Sequence, residues 1–205
     1  MNTVQVAQIV ECTEAEGPGR RFALWFQGCP LRCAGCCNPE MLPFAGGKTM
    51  TLAAIVELMR QARNVHKIEG ISLLGGEPFA HSVEASEIAR VAKDLGLSVM
   101  VYTGYKLEEL RTPCPGSAGE ALLAHIDVLV DGPYIAEQPE TQRRWVGSAN
   151  QHVHFLTDRY SPMDSSWSKS NTLEIRLLHG EISVNGFPSR SAVGLWRRPK
   201  LIGAS

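Results

Sequence analysis

Four short apolar runs in this chain each stop at a segment rich in glycine or cysteine, and this recurrence constrains the fold more than any other feature. Residues 22–26 lead into 28–36, residues 68–74 into 75–78, residues 97–102 into 103–104, and residues 128–130 into 131–133. Apolar runs of this length, bounded by glycine or proline, read as buried strands. Helical stripes lie between them. Leu52, Ile55, Val56 and Met59 recur at i, i+3, i+4 and i+7, with Thr49 or Thr51 placed to cap them. Ile88, Val91, Ala92 and Leu95 mark a second helix from about Ser82, with Gly96 as its stop. Residues 106–111 and 119–125 read as short helices around a loop containing Pro113, Pro115 and Gly116. Repeated strand–helix units imply an α/β fold with a mostly parallel sheet. Ligands of such sheets gather beyond the carboxyl ends of the strands, so one shared site is expected there.

The two ends of the chain read differently. Val4, Val6 and Ile9 mark a first strand. Residues 161–171 are rich in Ser, Pro and Asp and read as a loop. Residues 173–177 and 182–184, around His179-Gly180-Glu181, predict a terminal β-hairpin, with residues 199–205 frayed. The expected organisation is a core over residues 1–157 and a C-terminal extension of the same domain over 158–205.

Composition excludes several classes. With 44% apolar and 20% charged residues the 205-residue chain matches an ordinary globular protein. A formal net charge of −1 gives no electrostatic case for nucleic acid or an anionic membrane, and Arg197, Arg198 and Lys200 read as a solvated tail. The first residues carry no basic stretch and no long apolar run, and nothing approaches the roughly 18 apolar residues of a spanning helix. A cytoplasmic location is therefore expected. Six cysteines, several within nine positions, favour metal over disulfides there.

The cysteine spacing is Cys29-x3-Cys33-x2-Cys36, followed by Cys37 and Asn38. A [4Fe–4S] cube is held by thiolates, and a tight loop can wrap three of its irons. Three ligands leave the fourth iron open, as an open position marks a catalytic metal site. Structural zinc competes with this reading. It takes four ligands, commonly as two pairs, whereas Cys12 and Cys114 stand alone and no His lies near the loop. Side chains of adjacent residues are expected to diverge, so Cys37 reads as a small buried thiol or one beside the ligands, and Cys12 and Cys114 likewise.

The cysteine spacing resembles that of the radical S-adenosylmethionine superfamily. Other motifs narrow the resemblance to the activating enzymes of glycyl-radical proteins, the anaerobic ribonucleotide reductase activating family in particular. They are Gly17-Pro18-Gly19-Arg20, Gln27-Gly28-Cys29, Gly75-Gly76-Glu77-Pro78, Tyr102-Thr103-Gly104-Tyr105, residues 127–134 and residues 147–151, in one order over residues 3–155. Cys37 stands where these activases often carry an aromatic residue or His.

The resemblance implies a partial (β/α) barrel of the radical-SAM type, with the hairpin as an extension. It implies one [4Fe–4S] cluster on Cys29, Cys33 and Cys36, and S-adenosylmethionine chelating the open iron. The reduced cluster would cleave it to methionine and a 5′-deoxyadenosyl radical that abstracts hydrogen. Implied cofactor contacts are Asn38, Gly75, Gly76, Glu77, Pro78, Tyr102, Thr103, Gly104 and Asp131. The plain readings of these residues stay open: a turn at Gly75-Gly76, a strand boundary at Tyr102 to Gly104, a turn-former at Asp131, loop scaffolding at Asn150 and Gln151. Implied partners are a glycyl-radical protein or another hydrogen donor, and a flavodoxin or ferredoxin-like electron donor. Two other functions compete: a radical enzyme of the same scaffold acting on a peptide or small molecule, and a non-catalytic iron–sulfur or zinc protein.

Overall fold

The computed structural model describes residues 2–111, 119–178 and 181–187. The Pro113–Gly116 loop, Cys114, the hairpin turn at His179-Gly180, the basic tail and residues 199–205 lie outside the described residues.

The elements run β1 (Thr3–Thr13), β2 (Arg21–Phe26), β3 (Lys48–Thr51), α1 (Leu52–His66), β4 (Gly70–Gly75), α2 (Ser82–Asp94), β5 (Ser98–Tyr102), α3 (Leu107–Arg111), α4 (Gly119–Leu123), β6 (Val128–Asp131), β7 (His152–Phe155), β8 (Leu173–Leu178) and β9 (Glu181–Gly186). Seven strands form one sheet in the order β3-β1-β2-β4-β5-β6-β7. The four central strands, β2, β4, β5 and β6, are parallel, and β1, β3 and β7 pair antiparallel at the flanks. The expected largely parallel α/β sheet is present.

The strand order moves in one direction from β2 to β6. Right-handed crossovers then place every connecting helix on the same face. Phe22, Leu24, Phe26, Ile71, Leu73, Val99, Val101 and Leu129 share one core with Ile55 and Met59 of α1, Ile88 and Ala92 of α2, and Leu122 of α4. The expected stripes are in place. Thr51 caps α1 by accepting the Ala54 N–H at 3.2 Å, and Gly96, at φ +76°, ends α2.

Loops cover the opposite face. Trp145, Val146 and Trp167 pack on Met100, Val128 and Val130, and Val10 and Met41 pack on Ala23, Trp25 and Leu74. Trp167 reaches this core from a single 3-10 turn, Ser165–Ser168, inside the segment expected to be loop. The predicted β8–β9 hairpin forms a separate two-stranded sheet and docks on the end of β1. The Arg176 guanidinium donates to the Cys12 carbonyl at 2.8 Å, Asn185 to the Thr13 hydroxyl at 2.9 Å, and the Glu14 N–H to the Glu174 carboxylate at 2.9 Å.

Strand β1 carries a bulge between Val6 and Gln8. An extra residue there exchanges the faces. Val4 and Val6 therefore share the helix-side core with Ile9, while Ala7 and Val10 face the other way. Among the described residues no helix is long and apolar enough to cross a membrane.

Candidate functional site

The cysteine loop leaves β2 under tight control. Gln27, 4% exposed, donates its side-chain amide to the carbonyls of Glu40 at 3.0 Å and Pro43 at 2.7 Å. The N–H groups of Gly28 and Cys29 donate to Met41 and Leu42 carbonyls at 2.9 and 3.0 Å. The loop is thus closed at its neck by both backbone and side chain. Within it Arg32 and Gly35 adopt left-handed φ of 51° and 70°, and the Cys36 N–H donates to the Cys33 carbonyl at 3.2 Å. Cys29 is buried, while Cys33 and Cys36 are half-buried.

Burial pushes the Cys29 thiol above its usual value. Cys36 is lowered to about 6, first by a hydrogen bond from the Cys37 thiol and then by the Asn38 N–H, 3.4 Å from its sulfur. One expectation about Cys37 fails: its side chain does not diverge from Cys36, because the loop turns here and brings the thiols into hydrogen-bonding reach. Cys37 thus lies beside a predicted ligand; that hydrogen bond raises its pKa, and burial of its thiol raises it further. Cys12 is half-buried against the helix-side core.

The Gly75-Gly76-Glu77-Pro78 segment is stitched to that neck. The Gly76 N–H donates to the Phe26 carbonyl at 2.8 Å and the Glu77 N–H to the Gly28 carbonyl at 2.9 Å. A Cβ on Gly76 would lie 2.2 Å from the Gly28 carbonyl oxygen, so glycine is required by the cysteine loop's own backbone. Glu77 is 1% exposed. Its carboxylate accepts the Phe79 N–H, the Thr103 hydroxyl and the Gly104 N–H, each at 2.9 Å. Burial pushes its pKa up to about 7, and those three donors limit the rise. Pro78 opens the 3-10 turn Pro78–His81 that leads into α2.

Thr103 and Gly104 complete the cluster. A Cβ on Gly104 would meet the Leu31 side chain at 2.5 Å, so the cysteine loop rests directly on the β5 end. Cysteine loop, Gly75 to Pro78, and Thr103-Gly104 are therefore brought together.

Tyr102 and Asp131 face opposite sides of the sheet. The Tyr102 hydroxyl donates to the Glu16 carbonyl at 3.4 Å and its ring lies 6.0 Å from Phe187, on the face opposite the helices. Asp131 follows Leu129 on the helix side, where its carboxylate accepts the Leu107 N–H at the start of α3 at 2.7 Å and lies 3.1 Å from His154. Gln151 and Asn150 hold the segment after Asp131, donating to the carbonyls of Gly132 at 2.9 Å and Pro133 at 2.8 Å.

Sequence reasoning did not single out His81, Leu31, Glu16 or Arg21. His81 Nε2 lies 2.8 Å from the Gln27 carbonyl oxygen. Glu16 is buried and accepts the Gly186 N–H at 2.6 Å. Arg21, fully buried, donates to Ser72 at 2.8 Å and to the Pro18 carbonyl and Ser98 hydroxyl at 2.9 and 3.0 Å. The only sequence signal at Arg21 was a charge opening an apolar strand.

Comparison with known proteins first defines the class. A family model described as a 4Fe-4S single cluster domain matches residues 15–154, which include the cysteine loop and all four central strands. The anaerobic ribonucleoside-triphosphate reductase-activating protein of Vibrio cholerae is 33% identical over 147 residues, covering 69% of this chain and 91% of the relative. Its counterpart in Escherichia coli K12 is 33% identical over 146 residues, covering 68% and 91%. That of Enterobacteria phage T4 is 30% identical over 156 residues, covering 74% and 94%. The chain belongs to the family of anaerobic ribonucleoside-triphosphate reductase-activating proteins.

Proposed function

We propose that this chain is a radical S-adenosylmethionine enzyme that activates a glycyl-radical partner of the anaerobic ribonucleotide reductase kind. The observation that carries the reading is the junction of three strand ends: the Gly28 backbone against Gly76, and Leu31 over Gly104. It ties the cysteine loop to the two segments expected to receive S-adenosylmethionine.

The donor set fits a [4Fe–4S] cluster. Cys29, Cys33 and Cys36 would hold it, one thiolate to each of three irons, so their sulfurs stand at separate corners. Structural zinc commonly takes four ligands as two separated pairs, whereas these cysteines form a single run. When bound, the cluster supplies one electron to the sulfonium of S-adenosylmethionine, yielding methionine and a 5′-deoxyadenosyl radical. The chain's own residues position and enclose. Gln27 fixes the neck of the cysteine loop, Glu77 locks the ends of β4 and β5 together, and Asn38, Gly75 to Pro78, Thr103 and Gly104 border the space beyond. Tyr102, packed with Trp25, Leu74 and Met41 on the face opposite the helices, would border the same space, and Asp131 fixes the start of α3.

The sheet with helices on one face is read as a partial barrel of the radical-SAM type. Residues 1–157 form its core and 158–205 extend it. A flavodoxin or ferredoxin-like donor would supply electrons in the cytoplasm, without nucleic acid or membrane. A second reading, a radical enzyme acting on a peptide or small molecule, is favoured by one observation. The matched region ends at residue 154, and the β8–β9 hairpin docks beyond it.

Anaerobic reconstitution tests the proposal. About four irons and four sulfides should bind per chain, and 5′-deoxyadenosine should form with reductant and S-adenosylmethionine. Cys37→Ala should keep the cluster and Cys33→Ala should lose it. No deoxyadenosine would refute the enzymatic reading; the reverse cysteine pattern would refute the ligand assignment. Formation of a glycyl radical on a reductase partner, read by electron paramagnetic resonance (EPR), separates the first reading from the second.

A further inference from the structure

One ionisable side chain beside the cysteine loop has no role in the reading above. His81 ends the 3-10 turn that follows Glu77 and returns across the neck of the loop. Its ring stacks on Phe26, with centroids 5.3 Å apart and planes 11° apart, and Phe44 tilts against it at 6.1 Å. Held between two aromatic rings, the imidazole has little freedom to turn. Its Nε2 lies 2.8 Å from the Gln27 carbonyl oxygen, and the Gly28 backbone is also within hydrogen-bonding reach. A carbonyl can only accept, so Nε2 carries the proton and donates.

The same short stretch of backbone is fixed from three other directions. The Gln27 side chain reaches Glu40 and Pro43, the Gly28 carbonyl takes the Glu77 N–H, and the Phe44 ring sits where a Cβ on Gly28 would fall, 2.4 Å from its nearest atom. Without the His81 donor, the Gln27 carbonyl loses the contact that orients the peptide leading into Cys29.

We propose that His81 is a positioning residue for the iron–sulfur cluster, acting through the Gln27 and Gly28 peptides to set the orientation of Cys29. The inference rests on the cysteine loop holding a cluster. Groups that orient a metal ligand from behind typically change affinity or activity about tenfold to a hundredfold when removed. They also alter a cluster's electronic properties through nearby dipoles. His81 differs from a core aromatic in one respect, its N–H.

The test isolates that N–H. His81→Gln and His81→Met have unbranched side chains of nearly equal length, and both lose the ring. Only Gln keeps a donor at the Nε2 position. Each full-length chain is reconstituted anaerobically beside the wild type. Iron content, the rate of iron loss to a chelator, and the EPR spectrum of the reduced cluster are measured. His81→Met should lose iron about tenfold to a hundredfold faster than wild type, with a shifted spectrum. His81→Gln should return both toward wild type. If Gln and Met behave alike, whether both intact, both defective or both unfolded, His81 contributes packing only and the inference falls. Wild-type chain that binds no cluster would instead refute the functional reading, an outcome visible before either variant is compared.

Discussion

The carbonyl oxygen of Gly28 and the α-carbon of Gly76 are packed so closely that a methyl group on Gly76 would lie 2.2 Å from that oxygen. The contact joins the cysteine loop to the end of β4 by backbone alone, and no side-chain rotation can relieve it. Gly76→Ala should therefore force the two loops apart. The expected cost is about 1–3 kcal/mol of stability, typical of an added methyl in a packed site, with iron retention after reconstitution falling well below wild type. Thermal melting of the apo chain and iron analysis check both. An Ala variant that melts and binds iron as wild type does would show that the junction yields freely.

Glu77 makes the second tie. Its two oxygens accept from two backbone N–H groups and a hydroxyl, an arrangement that suits a carboxylate. An amide has a single acceptor oxygen and turns its NH2 toward one of the backbone N–H donors, whichever way it is flipped. Glu77→Gln should thus cost about 1–3 kcal/mol despite its equal size, the penalty of a buried donor left facing a donor. Thr103→Val removes one hydrogen bond and should cost less. Denaturant unfolding of the apo chain above about pH 8, where Glu77 is ionised, ranks the two, and the opposite order would mean that the amide finds other partners at this junction.

Much of this site was legible before the fold was known, for a definite reason. Apolar runs that stop at glycine announce strand ends, and a one-directional parallel sheet sends its strand ends to the same edge. What the residues do there was less legible. Gly75-Gly76 reads equally as a turn or a ligand-contacting segment, and only the position of Gly28, some fifty residues earlier, explains Gly76. Asp131, the last residue of β6, reads equally as a ligand contact or a turn-former, and only the fold shows that its carboxylate also accepts the Leu107 N–H. Strands β3 and β7 escaped notice because Lys-Thr-Met-Thr and His-Val-His-Phe are short flanking segments without a fully buried residue. His81, Glu16 and Arg21 find their partners far along the chain, so no local pattern marks them.

The pair Lys93 and Asp127 gives an acid-side prediction. Asp127, 1% exposed, has burial acting against its ionisation. Hydrogen bonds from Lys93 at 2.6 Å, the Thr157 hydroxyl at 2.6 Å and the Val99 N–H at 2.8 Å outweigh it, and the pKa lies below the usual 3.8. A depressed carboxyl pKa stabilises the fold above its unfolded value and loses that contribution as pH falls through the folded one. Lys93→Met should cost about 1–3 kcal/mol at neutral pH, where the buried carboxylate keeps only its other donors. The difference from wild type should shrink in acid, as pH falls below the usual carboxyl value and Asp127 protonates. Unfolding curves at neutral and acidic pH decide it, and a pH-independent difference would assign the loss to packing of the lysine stem.

Glu16 works in the opposite sense and controls the hairpin. Its Oε1 accepts the Gly186 N–H at 2.6 Å and the Asn185 amide at 3.5 Å. Burial, the largest influence, raises its pKa from 4.5 to about 8. The folded chain therefore keeps a proton that the unfolded chain releases above about 4.5. Its contribution to stability is whole below that value and declines as pH rises toward 8. Glu77 declines in the same way but stops near 7, and the lowered Cys36 thiol acts in the opposite sense above about 6, so the share of Glu16 is the difference between wild type and a variant that cannot ionise there. Glu16→Gln keeps an acceptor at Oε1 and cannot ionise. It should match wild type within about 1 kcal/mol at low pH and become the more stable of the two as pH rises toward 8. Glu16→Ala should cost about 1–3 kcal/mol, since the Gly186 N–H loses its acceptor, and should speed proteolytic cleavage of the β8–β9 hairpin. Melting temperatures followed from about pH 5 to 9, with limited proteolysis at each step, test this. A Gln variant whose stability relative to wild type does not change with pH would mean that Glu16 does not carry the hairpin's pH dependence.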